Sequence, residues 1–445
     1  MRKFWIMLLA AGLIMAFSVP AFAVGGANIN VTGSYVVRGL YASNPSLKDT
    51  DTAKSYAVFD QRLRMQPEFK IAEGLVLVTR FDVLERRWNG DRYGTFDTGY
   101  VATATRPAQI ENQGNSNFSW ERAYVDFTTG IGRFMVGYQN FTSWGTAIAD
   151  GANSYPGIKY LFAAGPVTLV AALEQVYEGQ DGVMNTPTDA DSTAYDLGFM
   201  YKWTGGEAGL LYQYVSSKEN KPGLKFAAKL HVIDPYVKAT FGPVYFEAEG
   251  IWLTGKAKEY DNATPDVDAE ALGVYAKVNV DLKPAYVGAI FAWVKGDDDL
   301  TDDDIKTGWL SQLKAGSVFE PCLIFGSYWY THAGLSSTGY AASGYTYFFD
   351  NIWFLQAYGG IKPIPKLDIF ASFSWMQKDK VTPHVGYDKD LGYEIDVKAT
   401  YQIFDNLSYM VGAGYFFTGD YFKGGVDSNK IDDNYLILHQ LTLSF

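Results

Sequence analysis

The chain has 445 residues, and its 37 basic and 49 acidic side chains give a formal net charge of −12. This acidic excess argues against a nucleic-acid-binding protein, which needs a basic face. Aromatic residues make up 16% of the chain and charged residues 19%. That combination is unusual for a soluble globular protein, and it also excludes a disordered chain, which would be poor in aromatic residues. The single cysteine, Cys322, excludes an intrachain disulfide and a multi-cysteine zinc site.

The N-terminal residues match a secretory signal. Two basic residues precede a nearly unbroken apolar run over 4–19, and small residues follow at Ala21 and Ala23. We therefore expect residues 1–23 to be a cleaved signal peptide and residues 24–445 to form one domain. The apolar run is shorter than the about 18–20 residues of a membrane-spanning helix, and no comparable run follows it. A secreted all-β protein and a transmembrane β-barrel remain open.

Alternation of apolar and polar residues separates these two classes. In 59–71 the odd positions are mainly apolar and the even positions are mainly charged or amide residues, and 195–203, 367–375 and 391–403 repeat an apolar stripe. An apolar stripe in nearly every segment favours a transmembrane barrel, in which lipid covers the outer surface of the strands. Closure into a barrel also removes the unpaired strand edges that hydrocarbon does not tolerate. The sequence therefore predicts an all-β fold, a transmembrane antiparallel β-barrel in the outer membrane of a Gram-negative bacterium, in contact with lipid and lipopolysaccharide.

Turn spacing predicts about 18 strands. Eight short turns alternate with nine longer polar stretches, as expected for periplasmic turns and outer loops. A further hairpin that includes Leu323 to Tyr330 would give 20 strands, and a merged hairpin would give 16. The stretch 224–241 is long for one strand and holds Pro235, so we expect a bulge there. The predicted turns lie at 72–74, 130, 164–166, 205–206, 242–243, 282–284, 363–366 and 405–406, and the loops at 42–53, 88–116, 141–156, 177–191, 216–222, 255–266, 296–349, 379–389 and 418–433.

Two segments resemble a porin hairpin. The sequences ERAYVDF at 121–127 and GRFMVGYQ at 132–139 are similar to paired strands of Gram-negative porins. Asp126 stands where porins usually have a small residue, and Tyr138 stands where they usually have arginine. The resemblance implies a passive channel that is 16-stranded and trimeric.

The C-terminal third resembles outer-membrane channels of the alginate-export type. The matching residues are LGYEID at 391–396, GYF at 414–416 and GDY at 419–421. This second resemblance implies a passive channel that is 18-stranded and monomeric, so a homotrimer stays an open alternative. The terminal Phe445 resembles the assembly signal of outer-membrane barrels, which implies the barrel-assembly machinery as a partner.

Arginine is confined to one sector of the chain. All ten arginines after Arg2 lie between Arg38 and Arg133. Alternation places most of them on the inner wall of consecutive strands. Arginine stays charged and holds carboxylate or phosphate with a planar fork, and charged side chains in a narrow pore select ions. We expect the pore to be lined by Arg38, Arg62, Arg64, Arg80, Arg86, Arg122 and Arg133.

The opposite wall carries candidate inward acids. Residues 24–140 are nearly balanced in charge and residues 141–445 are strongly acidic, so a transverse field is expected across the pore. The alternative is that the arginines pair with neighbouring acids and only fill the wall. The inward acids are Glu174, Asp196, Glu247, Glu249, Glu394 and Asp396, of which Glu174, Glu247 and Glu249 are expected to line the pore; the alternative partners are Asp60, Glu68, Asp82 and Asp126.

Two loops and several isolated residues have competing interpretations. By resemblance, 141–156 folds inward and narrows the pore, and the alternative is an ordinary surface loop. The stretch 296–349 is long enough to plug the lumen. The aspartates at 297–299 and 302–304 fit a solvated acidic loop better than a Ca²⁺ site, because no glycine-turned loop with a spaced glutamate is present. The four histidines lack metal spacing, and Cys322 is expected to be inert. No metal, cofactor or catalytic residue is expected.

These features predict a porin that is not an enzyme. It would pass small polar or anionic solutes by passive diffusion along the arginine-lined wall. The second hypothesis is a dedicated export or uptake channel for an acidic saccharide or organic anion. A distant alternative is a barrel hydrolase using His439, which shares the lipid-facing side of its strand, although no G-x-S-x-G motif is present. A purely structural or adhesive barrel is a further alternative, and it predicts no ion conductance.

Overall fold

The computed structural model describes residues 28–50, 55–88, 118–151, 153–179, 190–297, 304–305, 319–327, 350–381 and 386–445. The expected signal peptide lies outside these residues. Among them, no helix is long and apolar enough to cross a membrane.

Nearly all of the described chain is β-strand. Alternating β-branched and aromatic residues suit a pleated strand with two different faces. One helical turn, Lys221–Leu224, and one 3₁₀ turn, Asp420–Lys423, lie between strands. The strands are β1 Asn28–Ser43, β2 Tyr56–Ala72, β3 Leu75–Arg87, β4 Phe118–Thr129, β5 Gly132–Asn140, β6 Ser154–Ala164, β7 Val167–Tyr177, β8 Ser192–Trp203, β9 Gly206–Ser217, β10 Phe226–Phe241, β11 Val244–Tyr260, β12 Val267–Asp281, β13 Ala285–Val294, β14 Asp304–Ile305, β15 Ile352–Ile364, β16 Leu367–Lys378, β17 Asp390–Phe404, β18 Leu407–Thr418 and β19 Asn434–Ser444.

The strands close into an 18-stranded antiparallel barrel. Each long strand pairs with its neighbours in sequence, and β1 pairs with both β2 and β19. The two-residue β14 is an addition that pairs in parallel with β12. All eight predicted turns join hairpins at one end of the barrel. The predicted fold class and strand number are therefore confirmed.

Alternation along the strands separates an apolar outer face from an inner face. In β2, Phe59 is 44% exposed on the outer face while Asp60 is buried, and in β17 Ile395 is exposed while Glu394 is buried. Exposed apolar side chains recur at every second residue of most strands. In a membrane, lipid would cover this face, as predicted from the sequence.

Two local expectations need correction. No strand forms in 323–327, the part of the suggested Leu323–Tyr330 hairpin that the structure describes, and the segment 319–327 instead packs against the inner wall. In β10 the pairing register stays constant through Pro235, and the register shift lies between Ala227 and Lys229. Proline does not force a bulge here. The extra residue at the shift belongs to β11, between Lys256 and Glu259, so the bulge expected in 224–241 is not formed.

One half of the barrel interior is filled by a hydrophobic core. The inner faces of β10 to β19 contribute apolar residues such as Leu253, Ala292 and Phe354, which are almost fully buried. Phe319 and Phe325 pack on this wall, with ring centroids 5.4 Å from Tyr275 and 6.1 Å from Phe416, respectively. Sequence alternation did not predict this core, because it does not show that a distant segment packs against the inner face.

Candidate pore and its charged wall

The arginines of β1 and β2 lie on the inner face and form ion pairs. Arg38 donates from Nε to Asp60 at 2.8 Å, and both side chains are about 5% exposed. Arg64 holds Asp82 through two hydrogen bonds of 2.7 and 2.6 Å. Such paired forks are strong and fix both side chains. Pairing of the arginines with Asp60 and Asp82 therefore agrees with the wall-filling alternative.

A β-bulge in β4 brings an unexpected acid into the wall. The β3–β4 register shifts after the pair Arg80–Arg122, leaving Glu121 without an opposite residue. Glu121 lies within 3.6 Å of Arg80 and 3.8 Å of Arg64, although strict alternation assigns it to the outer face. Bulges place two consecutive residues opposite one and redirect a side chain in this way. The sequence contains no visible signal for this bulge.

The same wall contains positive charge that is only partly compensated. Arg80 and Arg122 are directly paired across β3 and β4, so they share one face. Among the residues that the structure describes, Arg122 forms no ion pair, and the Nε atoms of both arginines are buried without a hydrogen-bond partner. Two guanidinium groups therefore lie side by side near one carboxylate.

A second bulge lies in β3, before Arg86. Leu84 has a φ of +55°, and the β2–β3 register shifts beside it. Glu85 faces Arg62 at 3.6 Å. The expected place of Arg86 on the inner wall stays a prediction, because its side chain lies outside the described part of the structure.

Arg133 lies at the turn end of the barrel. It forms two hydrogen bonds with Asp126, and half of its side chain is exposed. Asp126, the departure from the porin pattern, thus pairs with a neighbouring arginine. Among the described residues Glu68 forms no ion pair with arginine, and its carboxylate accepts a hydrogen bond from Gln66 at 3.1 Å.

The predicted inward acids are buried on the other strands. Glu174 of β7 and Asp196 of β8 lie together, and the amide of Gln213 donates to Asp196 at 2.9 Å. Glu247 of β11 accepts hydrogen bonds from Tyr245 at 2.6 Å and Tyr275 at 2.7 Å. These acids are therefore held by neighbouring side chains within the wall.

The loop after β5 folds into the barrel. The indole of Trp144 donates to the carbonyl oxygen of Asp234 at 3.1 Å, and its ring lies where Gly198 and Gly209 leave space on β8 and β9. The backbone N–H of Thr146 donates to Glu249 at 2.8 Å, and its hydroxyl donates to the same oxygen. The expected inward fold of 141–156 is thus present, and it narrows the lumen.

The segment 319–327 also enters the barrel. Glu394 accepts the backbone N–H groups of Ile324 at 2.7 Å and Phe325 at 2.8 Å. Gln356 donates to the carbonyl oxygen of Pro321 at 2.8 Å. Because Glu394 holds this segment, it belongs to the filled half of the interior and not to a water-lined surface.

The arginine side chains are more accessible to water than two of the predicted inward acids. The side chains of Arg62, Arg64 and Arg80 are 12–25% exposed, whereas Glu249 and Glu394 are at most 3% exposed. The side chains of Lys238 on β10 and Lys277 on β12 are 30% and 33% exposed. The water-accessible part of the interior therefore includes the arginine wall and extends beyond it.

His439 lies on the outer surface between aromatic rings. Its ring centroid is 5.5 Å from that of Phe59 and 5.9 Å from that of Tyr409. No hydroxyl or carboxylate of the described residues hydrogen-bonds to this imidazole, so a serine–histidine arrangement is not assembled around it there.

Comparison with known proteins places the fold among outer-membrane channels. No protein-family model matches the sequence, and no curated protein matches it. Solved structures with similar folds include OccK9 (OpdG) of Pseudomonas aeruginosa, with a TM-score of 0.52, 13% identity and coverage of 94% of this chain and 99% of that chain. OccK2 (OpdF) of the same organism, in complex with glucuronate, has a TM-score of 0.51 and 11% identity, with coverage of 94% of this chain and 98% of that chain. A BenF-like porin from Pseudomonas fluorescens Pf-5 has a TM-score of 0.51 and 13% identity, with coverage of 94% of this chain and 99% of that chain. The expected resemblance to Gram-negative porins is confirmed at the level of the fold.

Proposed function

We propose that this barrel is a passive channel of the Gram-negative outer membrane and that it guides small anionic solutes along the arginine wall. The barrel closes without free edges, and its outer face is apolar. Transport through it needs no nucleotide, cofactor or covalent step.

The observation that carries the proposal is the pair Arg80 and Arg122. These residues face each other on one inner face with Glu121 as the nearby acid. A solute carboxylate or phosphate can accept hydrogen bonds from guanidinium forks, and charged side chains in a narrow pore discriminate between ions. Arg64 adds positive charge beside them, but its fork is occupied by Asp82.

The test is a reversal-potential measurement in a planar bilayer under a salt gradient. Wild type is compared with the double variant Arg80→Gln/Arg122→Gln. We expect anion preference in the wild type and a several-fold smaller anion-to-cation permeability ratio in the double variant. The control is the double variant Lys221→Gln/Lys225→Gln, which removes the same charge between β9 and β10, outside the barrel wall.

Two results would contradict the proposal. A cation-selective wild type whose ratio does not change in the arginine variant would leave a channel but remove the anion assignment. Absence of any conductance would favour a structural barrel.

A narrower form of the proposal concerns organic monocarboxylates, including uronates. The similarly folded OccK2 was solved with glucuronate, and the paired arginine forks suit a single carboxylate. We expect glucuronate, but not glucose, to reduce the ion current in wild type. The Arg80→Gln/Arg122→Gln variant should lose this block, and equal block by both sugars would contradict carboxylate recognition.

A further inference from the structure

Three potential metal ligands meet where the inner segment 319–327 touches β17. Sγ of Cys322 and one carboxylate oxygen each of Glu394 and Asp396 lie within 4.8 Å of one another. These residues are 5%, 0% and 1% exposed. One ligand comes from the inner segment and two come from the barrel wall, so the cluster joins two separate parts of the chain.

The hydrogen bonds around the cluster leave one carboxylate oxygen without a donor among the described residues. Both oxygens of Glu394 accept backbone N–H groups of the segment, and Oδ2 of Asp396 is approached by the backbone N–H of Leu323 at 3.3 Å. Oδ1 of Asp396 is buried, and no donor among the described residues reaches it. A buried carboxylate oxygen without a partner is costly, so it indicates a missing proton or cation.

Charge points in the same direction. Neither Glu394 nor Asp396 forms an ion pair with the described residues, and the nearby Lys398 lies over the ring of Phe370, 4.4 Å from its centroid. Two adjacent buried carboxylates repel each other unless a positive charge or a shared proton lies between them. The third group, a thiol, binds metals as the thiolate.

We propose that Cys322, Glu394 and Asp396 bind a thiophilic divalent cation of the Zn²⁺ type. Zinc accepts thiolate sulfur and carboxylate oxygen in tetrahedral sites, whereas Ca²⁺ and Mg²⁺ take oxygen ligands. Binding displaces the thiol proton and any proton shared by the carboxyls, and it forms one metal–sulfur and two metal–oxygen bonds. Water or the hydroxyl of Ser374, which is 3.3 Å from Sγ, supplies the fourth ligand.

The site would fasten the inner segment to the wall. Without the cation, Glu394 holds the segment through the two N–H bonds, and apolar packing adds to them. With it, a metal crosslink joins Cys322 of the segment to β17. Metal binding therefore stabilises the filled half of the interior independently of the arginine wall.

The test uses Co²⁺ as a spectroscopic probe on the folded full-length barrel. Thiolate ligation gives a sulfur-to-cobalt charge-transfer band, and metal content is measured after dialysis. We expect wild type to retain one cobalt per protein and to show this band, and we expect Zn²⁺ to displace the cobalt. Cys322→Ser should abolish the band and weaken binding by at least about tenfold. Asp396→Asn should weaken binding and keep a reduced band.

Glu174→Gln is the matched control, because it changes a buried carboxyl pair that has no cysteine beside it. It should leave the band unchanged. Folding of each variant is checked by circular dichroism and by heat-dependent migration in detergent gels. Absence of retained cobalt in wild type, or a band that persists in Cys322→Ser, would overturn the proposal and indicate that Glu394 and Asp396 share a proton.

Discussion

Arg80 and Arg122 lie directly opposite each other across β3 and β4, so two like charges share one position of the inner wall. Arg122→Gln removes repulsion without breaking an ion pair among the described residues, so we expect no loss of stability. Arg64→Gln instead leaves Asp82, which is 1% exposed at its side chain, without its fork. Because Arg64 is 25% exposed, loss of its hydrogen bonds to the buried Asp82 should cost about 1.5–3 kcal/mol. The free energy of unfolding of both variants can be measured by urea unfolding in lipid vesicles. Equal destabilisation of Arg122→Gln and Arg64→Gln would contradict the difference in ion pairing.

The inward loop provides a second prediction. Gly145 has a φ of +58°, and a Cβ at this position would collide with Oε1 of Glu249. We expect Gly145→Ala to displace the loop from β11 and to increase single-channel conductance. Gly165 has a similar φ of +60°, but a Cβ added there would have nothing within 4 Å, which makes Gly165→Ala a control for backbone strain alone. Unchanged conductance in Gly145→Ala would show that the loop does not limit ion flow.

Glu394 is expected to keep the inner segment in place. Glu394→Gln replaces one acceptor oxygen with an N–H₂ group that faces the backbone N–H of Ile324 or Phe325. A buried donor left unpaired costs about 1–3 kcal/mol, so the segment should separate from the wall more often. The rate of Cys322 alkylation by a maleimide measures this opening and should rise. Glu247→Gln, at a buried acid on β11, should leave the rate unchanged, and equal rates in both variants would contradict the role of Glu394.

Asp379, beyond the end of β16, provides a pH prediction. Burial opposes ionisation, but hydrogen bonds from Gly296 N–H and the indoles of Trp293 and Trp353 hold the pKa of Asp379 below its ordinary value. A lowered folded-state pKa stabilises the protein above the unfolded value of about 3.9, and this stabilisation is lost as the pH falls through the folded value.

Asp379→Asn should therefore cost about 1–2 kcal/mol at pH 7, and the difference from wild type should shrink below about pH 4. Tryptophan fluorescence follows the unfolding, since two donors are indoles. Asp261→Asn, which removes an exposed pair with Lys221, should cost less than about 0.5 kcal/mol at either pH. A pH-independent effect of Asp379→Asn would contradict the role of its charge.

Local patterns in the sequence predicted the barrel well because strand alternation and short turns are local properties. The hairpin turns and the strand number follow from a period of two and from glycine-rich breaks. Leu84 and Glu121 show the limit of this reasoning. Each is associated with a bulge that one extra residue creates. Beyond such a bulge, the alternation of inner and outer positions along the strand is shifted by one residue. Glu121 was missed for that reason.

The filled half of the interior was not predictable from strand patterns. Nothing in the sequence distinguishes Phe354 and Ile352 on the inner face from other apolar residues. Both belong to the buried cluster that includes segment 319–327, and the ring centroid of Phe319 lies 6.2 Å from that of Phe354. Contacts between Cys322 and β17 join distant parts of the sequence. Alternation reports which face a residue occupies, but it contains no information about a loop that returns to that face.

The unequal halves of the interior imply that transit through the proposed channel depends on the orientation of the solute. Guanidinium groups line the interior along β2 and β3, whereas the buried apolar cluster lies mainly along β10 to β19. A solute that bears its carboxylate on one edge can meet the guanidinium groups only with that edge turned toward them. Positional isomers of equal size and charge should therefore cross at different rates.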